Sequence, residues 1–418
     1  MKKEDLKFLE LNYHPKDDLI CLFKIIPNKI SMKKAANTVA LESSTGTWTK
    51  VQGRDYVEKL NAKVFSIKGN FVKIAYPSEL FEYDNVPNIL SSIAGNIFGM
   101  KAVKSIRLED VSFPSKILKN FQGPKYGISG IRKTMKINSR PLVGTIIKPK
   151  LGLNTKHHAQ SAYESWIGGC DFVKDDENLS SQKFNLFENR LAKTLEMADK
   201  AENETGEKKA YIVNVTAETK EMLKRAQLAE KMGSKYIMVD VLTSGWAALQ
   251  TLREANFKTI LHGHRAMHAA LDRNPNSGIS MMTLADFSRL VGVDQLHIGT
   301  GIGKLHGKIK EIEKLSEEMK LKEVKATKLR LSQKWKNIKP VMPVSSGGLH
   351  PGHVPFLIRH LGKDLVIQAG GGIHGHPSGT EAGARAMRQA VEAVIKKQSL
   401  KKYSETHKEL NEALKFWK

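Results

Sequence analysis

The sequence predicts an α/β fold: a (β/α)8 TIM barrel preceded by a small α+β, ferredoxin-like N-terminal domain. Three observations lead there. From residue 143 onward, short β-rich apolar runs recur eight times, each ending in glycine or polar residues. The stretches between them carry helical spacing, and strands alternating with helices imply a parallel sheet. Residues 1–123 lack that rhythm, so the chain divides into 1–123 and 124–418. Eight strand–helix units fit a closed barrel, although an open doubly wound sheet alternates in the same way.

In the first segment, ICLFKIIP, AKVFSIKGN and FVKIAYP read as strands, with helices from Met32 to Ala40 and Val86 to Ala94. The boundary falls in FQGPKYGISGIRKT, after Phe121. The barrel runs begin with VGTIIKPK at Val143, CDFVKDD at Cys170, AYIVNVT at Ala210 and YIMVDVL at Tyr236. They continue with TILHGHR at Thr259, QLHIGTG at Gln295, VMPVSSGG at Val341 and LVIQAGGG at Leu365. Phe184, Phe187, Leu191, Leu195 and Met197 recur at helical spacing, as do Leu223, Ala226, Leu228 and Met232. The lysine-rich tract from Lys308 to Lys339 reads as a helix with a solvated basic face.

With 40% hydrophobic and 26% charged residues, the chain has globular composition and length for a large domain and a smaller one. No window approaches eighteen apolar residues, so no membrane span is expected. The opening MKKEDLKFLELNYHP lacks the apolar stretch of a signal peptide, and Cys21 and Cys170 suggest no disulfide framework. A cytoplasmic location follows. The net charge of +24 suits a nucleic-acid binder, but the lysines are scattered, with no zinc-finger spacing or aromatic RNA-binding signature. No nucleic-acid partner is expected; the field can gather small anionic substrates.

The unusual side chains fall at the C-terminal ends of the runs, where barrel enzymes build their sites. Lys148 and Lys150 end the first; Lys174, Asp176 and Glu177 end the second. His262, His264 and Arg265 end the fifth, His297 the sixth, and Ser346, Gly347 and Gly348 the seventh. Gly370, Gly371 and Gly372 end the eighth, and bare backbone N–H groups there match the usual barrel phosphate site. Lys174 and Asp176 share a strand face because side chains alternate with period two. A lysine repels magnesium, but carbon dioxide captured as a carbamate turns it into an anionic oxygen ligand beside two carboxylates. A solvated acidic loop is the plain alternative for this motif. GGGIHG has the form of a dinucleotide fingerprint without the βα units that should follow it, and His262 with His264 has the form of a transition-metal pair. In GTGIGKLHG, three glycines ahead of Lys304 suggest either a hinged lid carrying a cation or a flexible surface loop.

Taken in order, ESSTGTWTKV, GNIFGMKAVKSIRLEDV, FQGPKYGI, GTIIKPKLGL, GGCDFVKDDEN, HRAMHAALDR, HIGTGIGKLHG, PVSSGGLHPGHVP and IQAGGGIHGHP resemble the large chain of ribulose-1,5-bisphosphate carboxylase/oxygenase (Rubisco) almost end to end. The length and Ile146 within GTIIKPK are similar to the archaeal, small-subunit-free, form III-like branch. The resemblance implies one Mg2+ per site, bound through carbamylated Lys174 with Asp176 and Glu177. It implies that Lys148 is the general base, assisted by Lys150, that His264 is a second proton-transfer residue, and that Lys304 is the lid lysine. Arg265, His297, Ser346, Gly347 and Gly348 then resemble contacts to one phosphate and the sugar hydroxyls. Thr47, Trp48, Gly348, Gln368, Ala369, Gly370 and Gly371 resemble the other phosphate site. Glu42 and Asn96 reach a neighbouring subunit's barrel in that family, so a homodimer or an assembly of dimers is implied.

The implied activity is carboxylation of ribulose 1,5-bisphosphate with CO2 to two 3-phosphoglycerates, with O2 as a side substrate, in nucleotide ribose salvage. A Rubisco-like enolase or isomerase acting on a methylthio-sugar phosphate is the alternative within enzymes. A basic nucleic-acid-binding protein is the alternative outside them. Ile146 removes a hydroxyl near the substrate, and Gly301 loosens the lid.

Overall fold

The computed structural model of the chain describes residues 6–47, 49, 55–303 and 308–417. Internal contacts group the chain into two compact units. One is Met1–Gly123 with Met267–Val291 and Leu321–Ile338; the other is Pro124–Ala266, Gly292–Lys320 and Lys339–Lys418.

The first unit is built on antiparallel strands β1 (Asp18–Pro27), β2 (Lys63–Lys68), β3 (Phe71–Pro77) and β4 (Val103–Ser112), in the order β4-β1-β3-β2. A two-residue strand, Gly278–Ile279, adds in parallel to the free edge of β4. Alternation along β1 buries Leu19, Cys21, Phe23 and Ile25. Helices Met32–Glu42 and Val86–Ile93 start where Ser31 and Asn85 accept backbone N–H bonds from Lys34 and Asn88. The sequence reading found β1 to β3 and both helices but did not single out β4, whose RLED segment has the polarity of a loop. Its charges are buried because distant segments pair them. Arg107 donates to Asp272 Oδ1 at 2.6 Å and to Glu109 Oε2 at 3.2 Å, and Asp110 accepts from the Leu331 N–H.

In the second unit, eight strands close a parallel barrel. They are β5 (Leu142–Ile146), β6 (Phe172–Lys174), β7 (Ala210–Asn214), β8 (Tyr236–Asp240), β9 (Ile260–His264), β10 (Gln295–His297), β11 (Met342–Ser346) and β12 (Val366–Gln368). Every apolar run of the sequence reading supplies one, and the barrel rather than an open sheet is the outcome. Leu142, Phe172, Ile212, Met238, Val344 and Val366 fill the interior, with Ile131 and Met135 of helix Gly127–Met135 in the same cluster. The register sets the next interior layer. Lys174 lies opposite Ile146 and Ile212, Met238 opposite His262, His262 opposite Gln295, and Gln368 opposite Gly144.

Two expectations are corrected. Phe184 precedes the helix Phe187–Thr205 and is exposed, because Leu186 takes the N-cap position. The tract Lys308–Lys339 is not one helix. The helix Ile309–Lys320 stops, and Glu323–Val324 then pairs antiparallel with Gln333–Lys334. Buried Trp335, with the Arg289 guanidinium 4.4 Å from its ring, ties this stretch into the first unit. Among the described residues, no helix is long and apolar enough to cross a membrane.

Candidate active site

Strand β6 carries different chemistry on its two faces. Lys174 points into the barrel, fully buried, and donates to the Asp175 carbonyl at 2.6 Å and the Met238 thioether at 3.1 Å. Burial lowers its pKa below the usual lysine range, against the opposing pull of Glu177, Asp240, Asp176 and Asp175. The shift is in the direction of the neutral, nucleophilic amine. Asp175 points the other way, into a buried polar cluster. It accepts from the Tyr211 hydroxyl at 2.5 Å, the Asn214 N–H at 2.9 Å and Arg190 Nε at 3.3 Å. His158 Nε2 stands 3.2 Å from Oδ1, off the hydrogen-bond direction. Burial alone raises a carboxyl pKa, but Arg190 and these neighbours hold Asp175 well below the carboxylate range.

Asp176, nearly buried, receives Lys148 Nζ from the end of β5 at 2.7 Å and Asn178 Nδ2 at 3.0 Å. Burial opposes ionisation, yet the bonds from Lys148 and Asn178 prevail and lower its pKa. His264, at the end of β9, places Nε2 3.7 Å from Glu177 Oε2 and Nδ1 3.1 Å from Asp240 Oδ1. Lys148, Lys174, Asp176, Glu177, His264 and Asp240 thus stand at the ends of neighbouring strands. Lys150 is exposed just beyond.

Beside His264, His262 on β9 bonds Gln295 and His297 on β10. Burial first, then nearby cations including Lys174, keeps both imidazole pKa values well below the usual range. Arg265 lies where a Cβ on Gly299 would meet its guanidinium at 2.8 Å. Ser346 leads into Gly347 (φ +126°) and Gly348 (φ +70°), a left-handed path that favours glycine. A Cβ on Gly372 would come within 2.0 Å of the Leu349 carbonyl, so the loops after β11 and β12 pack backbone to backbone. Gln368, fully buried, has both amide atoms without a hydrogen-bond partner. Ala369 is buried beside it, while Gly370 and Gly371 open a short helix.

Glu42, Thr47 and Asn96 belong to the N-terminal unit, and each is exposed there. Trp48 and Lys304 lie outside the described residues. Among the described residues, no three His, Cys, Asp or Glu side chains converge as a metal site. Two carboxylates and an amine are a poor magnesium set. Conversion of the amine to a carbamate supplies the third oxygen donor, and the buried, deprotonation-prone Lys174 fits that requirement. Sequence reasoning missed Asp175, Asp240 and Gln295. Asp175 was within view, since alternation places it opposite the ligand face.

Residues 127–417 match the family model for the ribulose bisphosphate carboxylase large chain, catalytic domain, and residues 7–117 match that for its N-terminal domain. The chain is 52% identical to a ribulose bisphosphate carboxylase of Methanocaldococcus jannaschii over 99% of this chain and all of the relative. It is 48% identical to one of Methanosarcina mazei over 98% of each chain. The dimeric archaeal Rubisco of Hyperthermus butylicus superposes with a TM-score of 0.93 at 47% identity, covering 99% of both chains. The octameric Rubisco of Pyrococcus horikoshii, in complex with sulfate, superposes at 0.92 and 44% identity, covering 98% of this chain and 96% of that one. With both domain models matched in order and barrel-end chemistry of this kind, the chain belongs to the ribulose bisphosphate carboxylase large-chain family.

Proposed function

We propose that this chain carboxylates ribulose 1,5-bisphosphate with CO2 to give two 3-phosphoglycerates, with O2 as a competing substrate. The observation that carries the reading is Lys174, an amine fully buried at a strand end, its pKa lowered, adjoining Asp176 and Glu177. As a neutral amine it attacks CO2, loses a proton and becomes a carbamate, which completes an oxygen set with Asp176 and Glu177. Magnesium, when bound there, supplies a Lewis acid and a template for the substrate oxygens.

The chain's own groups do the rest. Lys148, released from its 2.7 Å pair with Asp176, takes the C3 proton of the ketose and leaves an enediolate. The enediolate attacks CO2, water adds, and C–C cleavage yields the products. His264, whose Nδ1 lies 3.1 Å from Asp240, serves as the second proton-transfer residue. Arg265, His297 and Ser346 to Gly348 bind one phosphate and the sugar. Thr47, Trp48, Gly348 and Gln368 to Gly371 bind the other. The resemblance assigns to Lys304 the stabilisation of the carboxylated intermediate and to Lys150 the support of Lys148. Glu42 and Asn96 complete a partner's site, so the working unit is a homodimer or an assembly of dimers, without a small subunit. We propose in addition that the reaction serves salvage of nucleotide ribose in the cytoplasm, a reading supported only by the resemblance to the archaeal branch.

The test is incorporation of labelled CO2 into 3-phosphoglycerate by protein preincubated with CO2 and magnesium. Label in the native chain and none in Lys174→Ala is expected. Turnover of a methylthio-ribulose monophosphate with no fixation on the bisphosphate would overturn the reading.

A further inference from the structure

We propose that His262 is a positioning residue that, together with Gln295, fixes the tautomer of His297, leaving Nδ1 of His297 as a bare acceptor. Three side chains on two adjacent strands carry this. His262 is fully buried on β9, in register with Gln295 on β10, and His297 follows two residues later on the same interior face. His262 Nδ1 lies 2.7 Å from Gln295 Oε1, and its Nε2 lies 2.8 Å from His297 Nε2. The two rings meet edge to face, with centroids 4.9 Å apart.

Donor counting then runs along the chain of bonds. An amide oxygen only accepts, so His262 Nδ1 carries the proton and donates. A neutral imidazole has one N–H, so His262 Nε2 is a lone pair. Two lone pairs cannot face each other at 2.8 Å, so His297 donates through Nε2–H. His297 is neutral as well, and its Nδ1 is therefore unprotonated. Burial acts first against an imidazolium at His297, and His264, whose ring is 4.6 Å away, His262 and Arg265 act in the same sense.

This deepens the proposed function and rests on its placement of His297 at the substrate. A ring with a bare Nδ1 takes a sugar hydroxyl hydrogen directly. It takes a phosphate oxygen only after gaining a second proton. The sequence reading saw His262 only as half of a metal-chelating His-Gly-His pair. Its Nδ1 and Nε2 are instead both occupied by protein partners.

The experiment is long-range 1H–15N correlation on full-length protein labelled at histidine nitrogens, with resonances assigned through His262→Gln and His297→Asn. Expected in the native chain are Nε2–H with bare Nδ1 for His297 and the reverse for His262. Nδ1–H on His297, as follows from a turned-over Gln295 amide, overturns the proposal. In His262→Gln, His297 should lose its fixed tautomer, and KM for the bisphosphate should rise about twofold to tenfold while kcat changes less, one neutral hydrogen bond being at stake. An unchanged His297 tautomer in that variant overturns the positioning role. The nitrogen shifts are read without substrate, so they stand even if the proposed carboxylation fails.

Discussion

Asp175→Asn tests whether the outer face of β6 holds the inner one in place. The carboxylate it removes is fully buried, with Arg190, also fully buried, 3.3 Å away and the Tyr211 hydroxyl at 2.5 Å. An asparagine keeps the shape but leaves the Arg190 charge without its counter-ion, and breaking a buried pair from one side costs about 3–5 kcal/mol. At about 2–4 °C per kcal/mol for a unit of this size, the melting temperature should fall by at least about 6 °C. Lys174 and Asp176 flank the altered residue at the end of β6, so under the proposed function the magnesium concentration for half-activation should rise about tenfold or more. Differential scanning calorimetry and a magnesium titration of activated protein read the two effects. A melting temperature within about 2 °C of the parent, with unchanged magnesium response, would show that the cluster does not anchor the strand.

Carbamate forms from the neutral amine, so activation by CO2 and magnesium should quicken as pH rises through the Lys174 pKa. Because burial lowers that pKa, the half-rise should fall below the value of about 10.4 for a free lysine; a half-rise at or above it contradicts the assignment. Lys148→Ala should cut exchange of the substrate C3 hydrogen with water by about 10²–10⁴-fold, measured by loss of tritium from C3-labelled bisphosphate. Gln368→Leu removes a buried amide at the end of β12 and should raise KM in steady-state kinetics, with denaturant unfolding read beside it to show that the barrel still folds. Gly144→Ala puts a Cβ 2.9 Å from Gln368 Cγ and 3.2 Å from Phe172 Cβ, so the same unfolding assay should show a loss of about 1–3 kcal/mol.

The barrel was legible because each strand announces itself locally, as a β-rich run closed by glycine or charge. The inward position of Lys174 was legible too, since side chains alternate with period two along a strand. Asp175 was not, because its partners Arg190, Tyr211 and His158 come from other elements and only folding shows what its face meets. Gln295 and Asp240 were passed over for a similar reason: one glutamine and one aspartate acquire meaning only beside His262 and His264. Strand β4 was missed because Arg107, Glu109 and Asp110 look solvated until Asp272 and Leu331 are brought to them. The tract after Lys320 misled through composition, its lysines hiding a buried tryptophan.

The 2.7 Å contact between Lys148 and Asp176 ties two roles into one interlock. While the ammonium rests on that carboxylate it has no lone pair to offer, and the carboxylate has an oxygen occupied. Under the proposed function, a molecule with this pair intact is idle toward the sugar bisphosphate. On the same reading, turning Asp176 to a cation breaks the Lys148 pair as well, so the two roles are coupled through one contact.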